Sequence, residues 1–349
     1  MAIQDLEARN VRCIEELYWE LDPGVNVLVG KNGAGKTSIL EGIVLAGTGK
    51  ALRPGGSRGV IRRDAGVLNV RLRAGVGVSA CEVIYERHAK NRTWVLNHEA
   101  IKSPTEIYER IPLLVLNPET HYAMLQDPHV RRGLMSWFLF HVEPLFLDMW
   151  RRFQRIMRQR NAGLKMGNQK YRAFDPGYIQ VGEALGAMWR RAQEELELPF
   201  TEAVHELGLH EAVTTAFRNG WTGDSLEEAL EAARPGDEKM GYSQVGPQRA
   251  DINFLMGGKP ISEGASHGQQ KVIVSAWRLA LARQVRKAGK EPILLIDDLA
   301  AELDQERRQA FYETLRASDM QVVVTAIEAD ALSSSFTMFH VEHGQLTPP

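Results

Sequence analysis

The chain has few of the residues that mark secreted or membrane proteins. Only two of its 349 residues are cysteines, Cys13 and Cys81, so a disulfide framework is excluded and a reducing setting is favoured. We expect both cysteines to be small core residues. No apolar run approaches the ~18 residues that a membrane helix needs, and the N-terminal segment lacks the pattern of a signal peptide. We therefore expect a cytoplasmic protein with no membrane segment.

The chain also lacks an excess of charge of either sign. Its formal net charge is −2, so composition alone does not predict a nucleic-acid partner. The signs are nevertheless separated, because 151–172 contains basic residues and no acid, whereas 194–231 is rich in glutamate. Apolar residues recur at helical spacing around the start of the basic segment, which leaves several arginines on the opposite face. The predicted DNA-binding residues on that face are Arg151, Arg152, Arg155 and Arg158. An alternative DNA surface is Lys50, Arg53, Arg58, Arg62 and Arg63.

The most specific motif is a phosphate-binding loop. Residues 30–37 have the sequence GKNGAGKT, between the apolar run VNVLV and the helical pattern SILEGIVLA. Glycines in such a loop let successive backbone N–H groups surround phosphate oxygens. Lys36 is predicted to contact the β and γ phosphates, and Thr37 to hold Mg²⁺. The predicted contacts with ATP are Gly30, Lys31, Asn32, Gly33, Ala34, Gly35, Lys36, Thr37 and Ser38.

Two carboxylates follow an apolar strand in the last third of the chain. The sequence ILLIDD at 293–298 predicts a buried strand that ends in Asp297 and Asp298. Ligands of parallel sheets bind at the carboxyl ends of the strands. We predict that Asp297 holds Mg²⁺ with Thr37, and that Asp298 orients or deprotonates an attacking water. The predicted catalytic residues are therefore Lys36, Asp297 and Asp298.

A second anion site is predicted at the tetrad SHGQ, 266–269, because serine and glycine begin a helix there. Together with the loop and the acidic strand, the tetrad resembles ATP-binding-cassette enzymes. That resemblance implies an ATP-dependent homodimer in which each subunit completes the partner's ATP site. It also implies that Thr325 senses the γ-phosphate. The residues implied to contact the partner's ATP are Ser266, Gly268, Gln269 and Asp304.

The whole chain resembles the RecF family of bacterial recombination-repair ATPases, which are related to the heads of structural-maintenance-of-chromosomes (SMC) proteins. The motifs that carry the resemblance are GKNGAGKT, SHGQQK, ILLIDDLAAELD, VRCIEEL, LNPE at 116–119, DPHVRRGLMSW at 127–137, RQRNAGL at 158–164 and GPQRADINF at 246–254. Four positions depart from the family pattern. Ala265 and His267 replace a usual leucine and arginine, Gln248 replaces a histidine, and Ala301 replaces a serine.

The resemblance implies a function as well as a fold. Members bind ATP with Mg²⁺, dimerise on it, and engage double-stranded DNA near single-strand gaps. With RecR and RecO they help to place RecA on gapped DNA. The resemblance implies an ATPase that is stimulated by DNA. We expect its hydrolysis to be slow, because Asp298 is one methylene shorter than the glutamate of transport cassettes.

The predicted fold class is α/β, an ABC-type ATPase head (a P-loop NTPase) with an inserted, mainly helical second domain. The predicted bounds are 1–112 and 240–349 for the ATPase domain and 113–239 for the arm-like insert. From 128 to 209 the apolar residues recur at the spacing of an α-helix, with a candidate break at Pro199. A closing hairpin is predicted around His343 and Gly344.

Other ATPase classes are the alternatives. A transporter ATPase would not need this insert, and no membrane segment adjoins it. A nuclease-linked ATPase of the overcoming-lysogenisation type carries an additional acidic metal-binding domain. A chromosome-structuring head has long heptad arms, and the insert is too short and irregular for them. The alternative function is thus another SMC-like or ABC ATPase not dedicated to RecA loading, such as a nuclease-associated or transporter ATPase.

Overall fold

The computed structural model describes residues 2–52, 59–77, 80–167, 169–298, 304–328 and 336–347. Ala301 of the predicted interface loop, and Arg53 and Arg58 of the alternative DNA surface, lie outside the described residues. The chain forms two compact units. The first unit is Met1–Tyr122, His205–Leu209 and Val274–Pro349, and the second is Ala123–Val204 and His210–Ile273. The sequence-based bounds at 112 and 240 stay a prediction.

Strands and helices alternate along much of the chain. The strands are β1 Ile3–Val11, β2 Ile14–Glu20, β3 Val25–Val29, β4 Val67–Ala74, β5 Cys81–His88, β6 Arg92–Leu96, β7 Glu99–Ile101, β8 Leu113–Leu116, β9 Val213–Arg218, β10 Asp251–Met256, β11 Lys259–Pro260, β12 Ile293–Ile296, β13 Gln321–Ala326, β14 Thr337–Glu342 and β15 Gln345–Thr347. The helices are α1 Lys36–Thr48, α2 Thr105–Arg110, α3 Pro118–Gln126, α4 Pro128–Val142, α5 Phe146–Lys165, α6 Asp175–Glu206, α7 Leu226–Met240, α8 Ile261–Gly264, α9 His267–Lys287 and α10 Gln305–Ala317. Among the described residues, 3₁₀ helices lie at Gln169–Phe174 and Pro247–Arg249.

The first unit contains two six-stranded sheets. One has the order β2-β1-β4-β5-β6-β7 and is antiparallel, and its strands alternate buried and exposed residues because one face is solvated. The other has the order β15-β14-β3-β13-β12-β8 and is parallel except for the β14–β15 hairpin. Its central strands β3 and β12 are buried throughout, as parallel strands covered on both faces must be. Helix α1 contacts both sheets.

The second unit combines helices α4 to α8 with a three-stranded antiparallel sheet of order β11-β10-β9. The strands β9 and β10 were not predicted from the sequence. Their register joins Asp251 to Arg218 and Met256 to Val213, so the pairing links two segments that are distant in sequence. A charged residue opens one strand and ends the other, and this weakens the sequence signal for both.

Two expectations about single residues are wrong. Helix α6 continues through Pro199 instead of breaking there. Flanking packing holds the helix together, since Leu196 and Phe200 are fully buried beside the proline. Cys81 is buried as expected, but Cys13 is exposed, because it lies in the turn between β1 and β2 and not inside a strand.

Candidate functional site: a phosphate-binding pocket

The glycine loop adopts the conformation that its sequence predicts. It leaves the carboxyl end of β3 and enters α1, whose N-terminus carries unpaired N–H groups toward the loop. Gly33 and Gly35 have φ angles of 84° and 114°, a region that other residues rarely adopt. A side chain at Gly30 would lie 2.3 Å from the backbone oxygen of Val341. The loop therefore needs its glycines both for their backbone angles and for close packing.

Lys36 points back over this loop. Its Nζ donates to the backbone oxygens of Gly30 and Lys31, at 2.5 and 3.2 Å, and the residue is only 5% exposed. A buried ammonium group requires oxygen partners. Phosphate oxygens offer the same contacts with opposite charge, so the position of Lys36 fits a ligand held in the loop.

Three side chains from separate elements meet beside the loop. The hydroxyl of Thr37 donates to Oδ1 of Asp297 at 3.1 Å, and Oγ1 of Thr325 lies 2.9 Å from the same oxygen. Asp297 follows β12 and Thr325 lies in β13, and these strands pair in parallel. A hydroxyl and a carboxylate are the hard oxygen ligands that Mg²⁺ prefers. Thr37 and Asp297 therefore fit the predicted metal site, with further ligands expected from substrate phosphates and water.

Asp298 follows directly and has an unusual backbone. Its φ angle is 52°, in the left-handed region, where Asn and Asp are the best tolerated residues after glycine. Its N–H donates to Oγ1 of Thr325 at 2.9 Å, which fixes this conformation. Oδ1 of Asp298 also accepts from Oγ1 of Thr325 at 3.3 Å, and Asp298 lines the pocket beside the loop.

The pocket has a volume of about 350 Å³ and contains residues that sequence reasoning missed. Its lining residues are Arg12, Cys13, Asn32, Gly33, Gly35, Lys36, Thr37, Ser38 and Asp298. Arg12 and Cys13 belong to the motif VRCIEEL, which carried the family resemblance but received no role. Arg12 makes a two-point ion pair with the buried carboxylate of Glu41, at 2.6 and 3.0 Å, and this pair raises the pKa of the arginine. Cys13 Sγ lies 3.4 Å from the hydroxyl of Ser38.

The closing hairpin supports the loop from behind. The predicted hairpin forms between β14 and β15, and the backbone N–H of Gly344 in its turn donates to the oxygen of Ala34 at 2.7 Å. A side chain at Gly344 would lie 3.1 Å from the oxygen of Cys13, and the φ angle of this glycine is 76°. The turn is thus packed between the phosphate loop and the β1–β2 turn.

We expect Gly344→Ala to weaken ATP binding about tenfold, because a cost of roughly 1.4 kcal/mol at this turn would shift the loop that it supports. Titration calorimetry with ATP measures the effect. Gly289→Ala is the matched control, since Gly289 has a φ angle of 84° and open space around it. It should lower the melting temperature and leave ATP affinity unchanged. Equal affinity losses in both variants would argue against a supporting role for the hairpin.

Of the residues implied to act on a partner's ATP, one lies in the first unit. Asp304 is the N-cap of α10, and its carboxylate accepts from the backbone N–H of Arg307 at 2.9 Å. The preceding residues, 299–303, lie outside the described chain.

The other three, Ser266, Gly268 and Gln269, belong to the second unit. Ser266 precedes α9, and its hydroxyl accepts from the N–H of Gln269 at 3.3 Å, while the side chain of Gln269 accepts from the N–H of Ser266 at 2.8 Å. This is a reciprocal capping box. The cap fixes the start of α9 and leaves neighbouring N–H groups directed outward.

The predicted DNA-binding arginines are exposed along α5 of the second unit. They are Arg151, Arg152, Arg155 and Arg158. Arg160 of the same basic segment is different, because it is completely buried and pairs with Asp175 and Asp237 at 2.8 and 2.7 Å. Counting only the acids within this segment therefore overestimates the positive charge that it exposes to solvent.

Gln248, which replaces the histidine that is usual in the family, makes hydrogen bonds that hold its own loop. Its side-chain nitrogen donates to the hydroxyl of Tyr178 at 2.8 Å and to the oxygen of Val245 at 2.9 Å. Burial raises the pKa of Tyr178 to about 12. Glutamine therefore anchors the 246–250 loop through neutral hydrogen bonds.

Among the described residues, no helix is long and apolar enough to cross a membrane, and no group of three or more His, Cys, Asp or Glu side chains could hold a metal ion alone.

Comparisons with known proteins agree with this geometry. The RecF/RecN/SMC N-terminal domain family matches residues 2–347. The DNA replication and repair protein RecF of Thioalkalivibrio sulfidiphilus is 32% identical over 99% of both chains, and that of Chromohalobacter salexigens is 33% identical over the same shares.

Solved structures give the same result for the fold. The recombination mediator protein RecF, solved as RecF-ATP in the RecFOR pathway, matches 100% of this chain and 97% of its own with a TM-score of 0.86 and 20% identity. The Smc head domain from Pyrococcus furiosus matches 99% of this chain and 95% of its own, with a TM-score of 0.62 and 14% identity. The predicted ATPase-head fold is thereby confirmed. The chain belongs to the RecF family of DNA replication and repair proteins.

Proposed function

We propose that this protein is an ATP-dependent DNA-binding repair protein. It dimerises on ATP, binds duplex DNA at single-strand gaps and, with RecR and RecO, promotes RecA loading. Its slow ATPase limits how long the dimer persists. The observation that carries this proposal is the meeting of Lys36, Thr37, Asp297 and Asp298 at the carboxyl edge of one parallel sheet.

Each of the pocket residues has its own role in the proposed hydrolysis of ATP. Lys36 and the loop N–H groups neutralise the phosphates. Asp298 orients an attacking water toward the γ-phosphate and accepts its proton. Thr37 and Asp297 would hold Mg²⁺, which would supply positive charge to offset the charge that develops on the phosphates. Thr325 touches Oδ1 of Asp297 and accepts from the N–H of Asp298, so it couples the two carboxylates.

The proposed dimer follows from charge. A triphosphate in the loop of one copy keeps unneutralised oxygens, and the capped start of α9 presents outward N–H groups that can meet them in a second copy. ATP binding would then stabilise the dimer by mass action. Hydrolysis and loss of phosphate would remove this bridge and release DNA.

Light scattering with ATP and a gapped duplex tests the proposal in one sample. We expect the mass of a single chain without nucleotide, the mass of a dimer with ATP, and a larger complex when DNA is added. A chain that stays single at saturating ATP and still binds DNA as tightly would contradict it. The alternative, an SMC-like or ABC ATPase of another kind, predicts ATP-dependent dimers without preference for gapped over intact duplex.

The arginines of α5 make a separate prediction. Replacing Arg151, Arg155 and Arg158 by glutamine should weaken DNA binding and reduce the slope of log K against log salt by up to ~2.7, since each phosphate contact contributes about 0.9. Fluorescence anisotropy of labelled duplex DNA from low to moderate salt measures this slope.

The control variant removes the same charge elsewhere. Lys90, Lys287 and Lys290 are exposed and lie in other segments, and their replacement by glutamine should leave the slope near that of the natural chain. An unchanged slope in the α5 variant would indicate that DNA binds at other residues, for example Lys50 and Arg62.

A further inference from the structure

A second group of arginines in the second unit has no role in the proposal above. It surrounds Asp251, the first residue of β10. Arg131 of α4 makes a two-point ion pair with this carboxylate, at 2.8 and 2.9 Å, and Arg218 of β9 approaches it at 3.5 Å. Arg132 donates to the neighbouring oxygen of Ala250 at 2.9 Å. Arg249 is exposed and lies two residues before Asp251 in the chain.

This arginine cluster, defined as Arg131, Arg132, Arg218 and Arg249, carries more positive charge than its surroundings offset. Asp251 is 3% exposed and is already satisfied by the pair with Arg131. The pKa of Arg132 is lowered, first by burial, while Asp251 and Asp127 raise it and Arg249 and Arg131 lower it further. A guanidinium that has lost part of its hydration through burial is stabilised when an anion contacts it.

The backbone that bears part of the cluster is closely packed. Gly220 packs against the loop that bears Arg249, and a side chain there would lie 2.3 Å from the oxygen of Gly246 and 2.5 Å from the nitrogen of Ala250. Gln248 faces inward to Tyr178, so the next residue, Arg249, faces outward. A closely packed backbone loses little freedom on binding, which favours recognition of a phosphate.

The surroundings favour a nucleic-acid phosphate over an acidic protein. Stable protein interfaces are centred on aromatic or other apolar anchors. None of the large apolar side chains that are exposed among the described residues belongs to this cluster or neighbours it in sequence. Nucleic-acid interfaces, in contrast, are polar and strongly positive.

We propose that Arg132, Arg218 and Arg249 form a second surface that binds the sugar-phosphate backbone of nucleic acid, separate in sequence from the arginines of α5. The Arg131–Asp251 pair is its structural support. This inference rests on the proposed binding of DNA. Because contacts with phosphates carry no sequence information, a surface of this kind binds without sequence preference.

The test is the double variant Arg218→Gln, Arg249→Gln. Both residues are exposed, Arg218 by 66% of its side chain, so the variant should fold and melt like the natural chain. With the full-length protein and ATP, we expect roughly tenfold weaker binding of duplex DNA at low salt and a salt slope lower by ~1.8, the value for two lost phosphate contacts. A variant with Lys90→Gln and Lys290→Gln loses the same charge and should match the natural chain.

The outcomes separate this inference from the proposed function. If the natural chain binds no DNA with ATP, the proposed function fails and this surface fails with it. If the natural chain binds DNA and the double variant has the same affinity and slope, only the surface is refuted. Poly-glutamate provides a third comparison. If the natural chain binds it, the double variant does not, and the two chains bind DNA equally, the cluster binds an acidic protein and the proposal is overturned.

Discussion

Lys36→Ala is expected to lose ATP binding by at least about 100-fold and to lose ATP-dependent DNA binding with it. The ammonium group is the cation that lies over the loop, 2.5 Å from the oxygen of Gly30. Removing it takes away the buried positive charge that phosphate oxygens would contact in the loop. Loss of one partner from a buried, hydrogen-bonded charge pair costs roughly 2–5 kcal/mol, which corresponds to this change in affinity.

Titration calorimetry measures the affinity for ATP. The rate at which the exposed thiol of Cys13 is alkylated gives a second measure of ATP binding. Cys13 lines the same pocket, whereas Cys81 is buried, so ATP should slow alkylation of the natural chain and not of the variant. Lys31→Ala is the matched control. It removes an exposed lysine of the same loop but keeps the backbone N–H that is predicted to bind phosphate.

Because alanine at position 36 removes a buried charge, the variant should melt no lower than the natural chain. A Lys36→Ala variant that binds ATP within a few-fold of the natural affinity would refute the assignment of this loop as the nucleotide site.

Asp298→Asn is expected to reduce ATP hydrolysis by roughly 10²–10⁴-fold while ATP binding and dimer formation persist. An amide has the shape of the carboxylate but does not accept the proton of the attacking water. Asparagine also tolerates the φ angle of 52° and keeps the N–H donor to Thr325, so the turn should be preserved. The dimer formed on ATP should therefore last longer.

Single-turnover phosphate release measures hydrolysis, and light scattering after removal of free ATP measures dimer lifetime. Asp298→Ala is a useful comparison. It also removes the base, but it places alanine in the left-handed region at a cost of about 1–2 kcal/mol and should destabilise the fold. If Asp298→Asn fails to dimerise with ATP, the role of hydrolysis in timing release is wrong.

Sequence patterns can locate candidate pocket residues where the motif is local. The loop at 30–37 and the strand at 293–298 are each contiguous, so glycine positions and apolar runs specify them directly. The parallel-sheet rule then correctly anticipated that Thr37 and Asp297 would lie close together. Arg12 escaped prediction, because its proximity to the pocket depends on a turn between two strands of the other sheet.

The charge at the protein surface, in contrast, could not be predicted from local sequence. The segment 151–172 contains no acid, yet Arg160 within it is neutralised by Asp175 and Asp237 from later elements. Likewise the cluster around Asp251 forms only when β9 pairs with β10 and α4 packs against them. Residue counts along a chain therefore measure local charge and not the field at the surface.

The amino-acid sequence by itself determined the ATPase-head fold, the phosphate loop and the acidic strand end, because hydrogen bonding within the backbone and hydrophobic periodicity act over short stretches of chain. The tertiary structure alone decided that Gly344 supports the loop, that Cys13 is exposed at the pocket, and which arginines face solvent. These properties depend on contacts between residues far apart in the chain, and such contacts are fixed only when the sheets and helices pack.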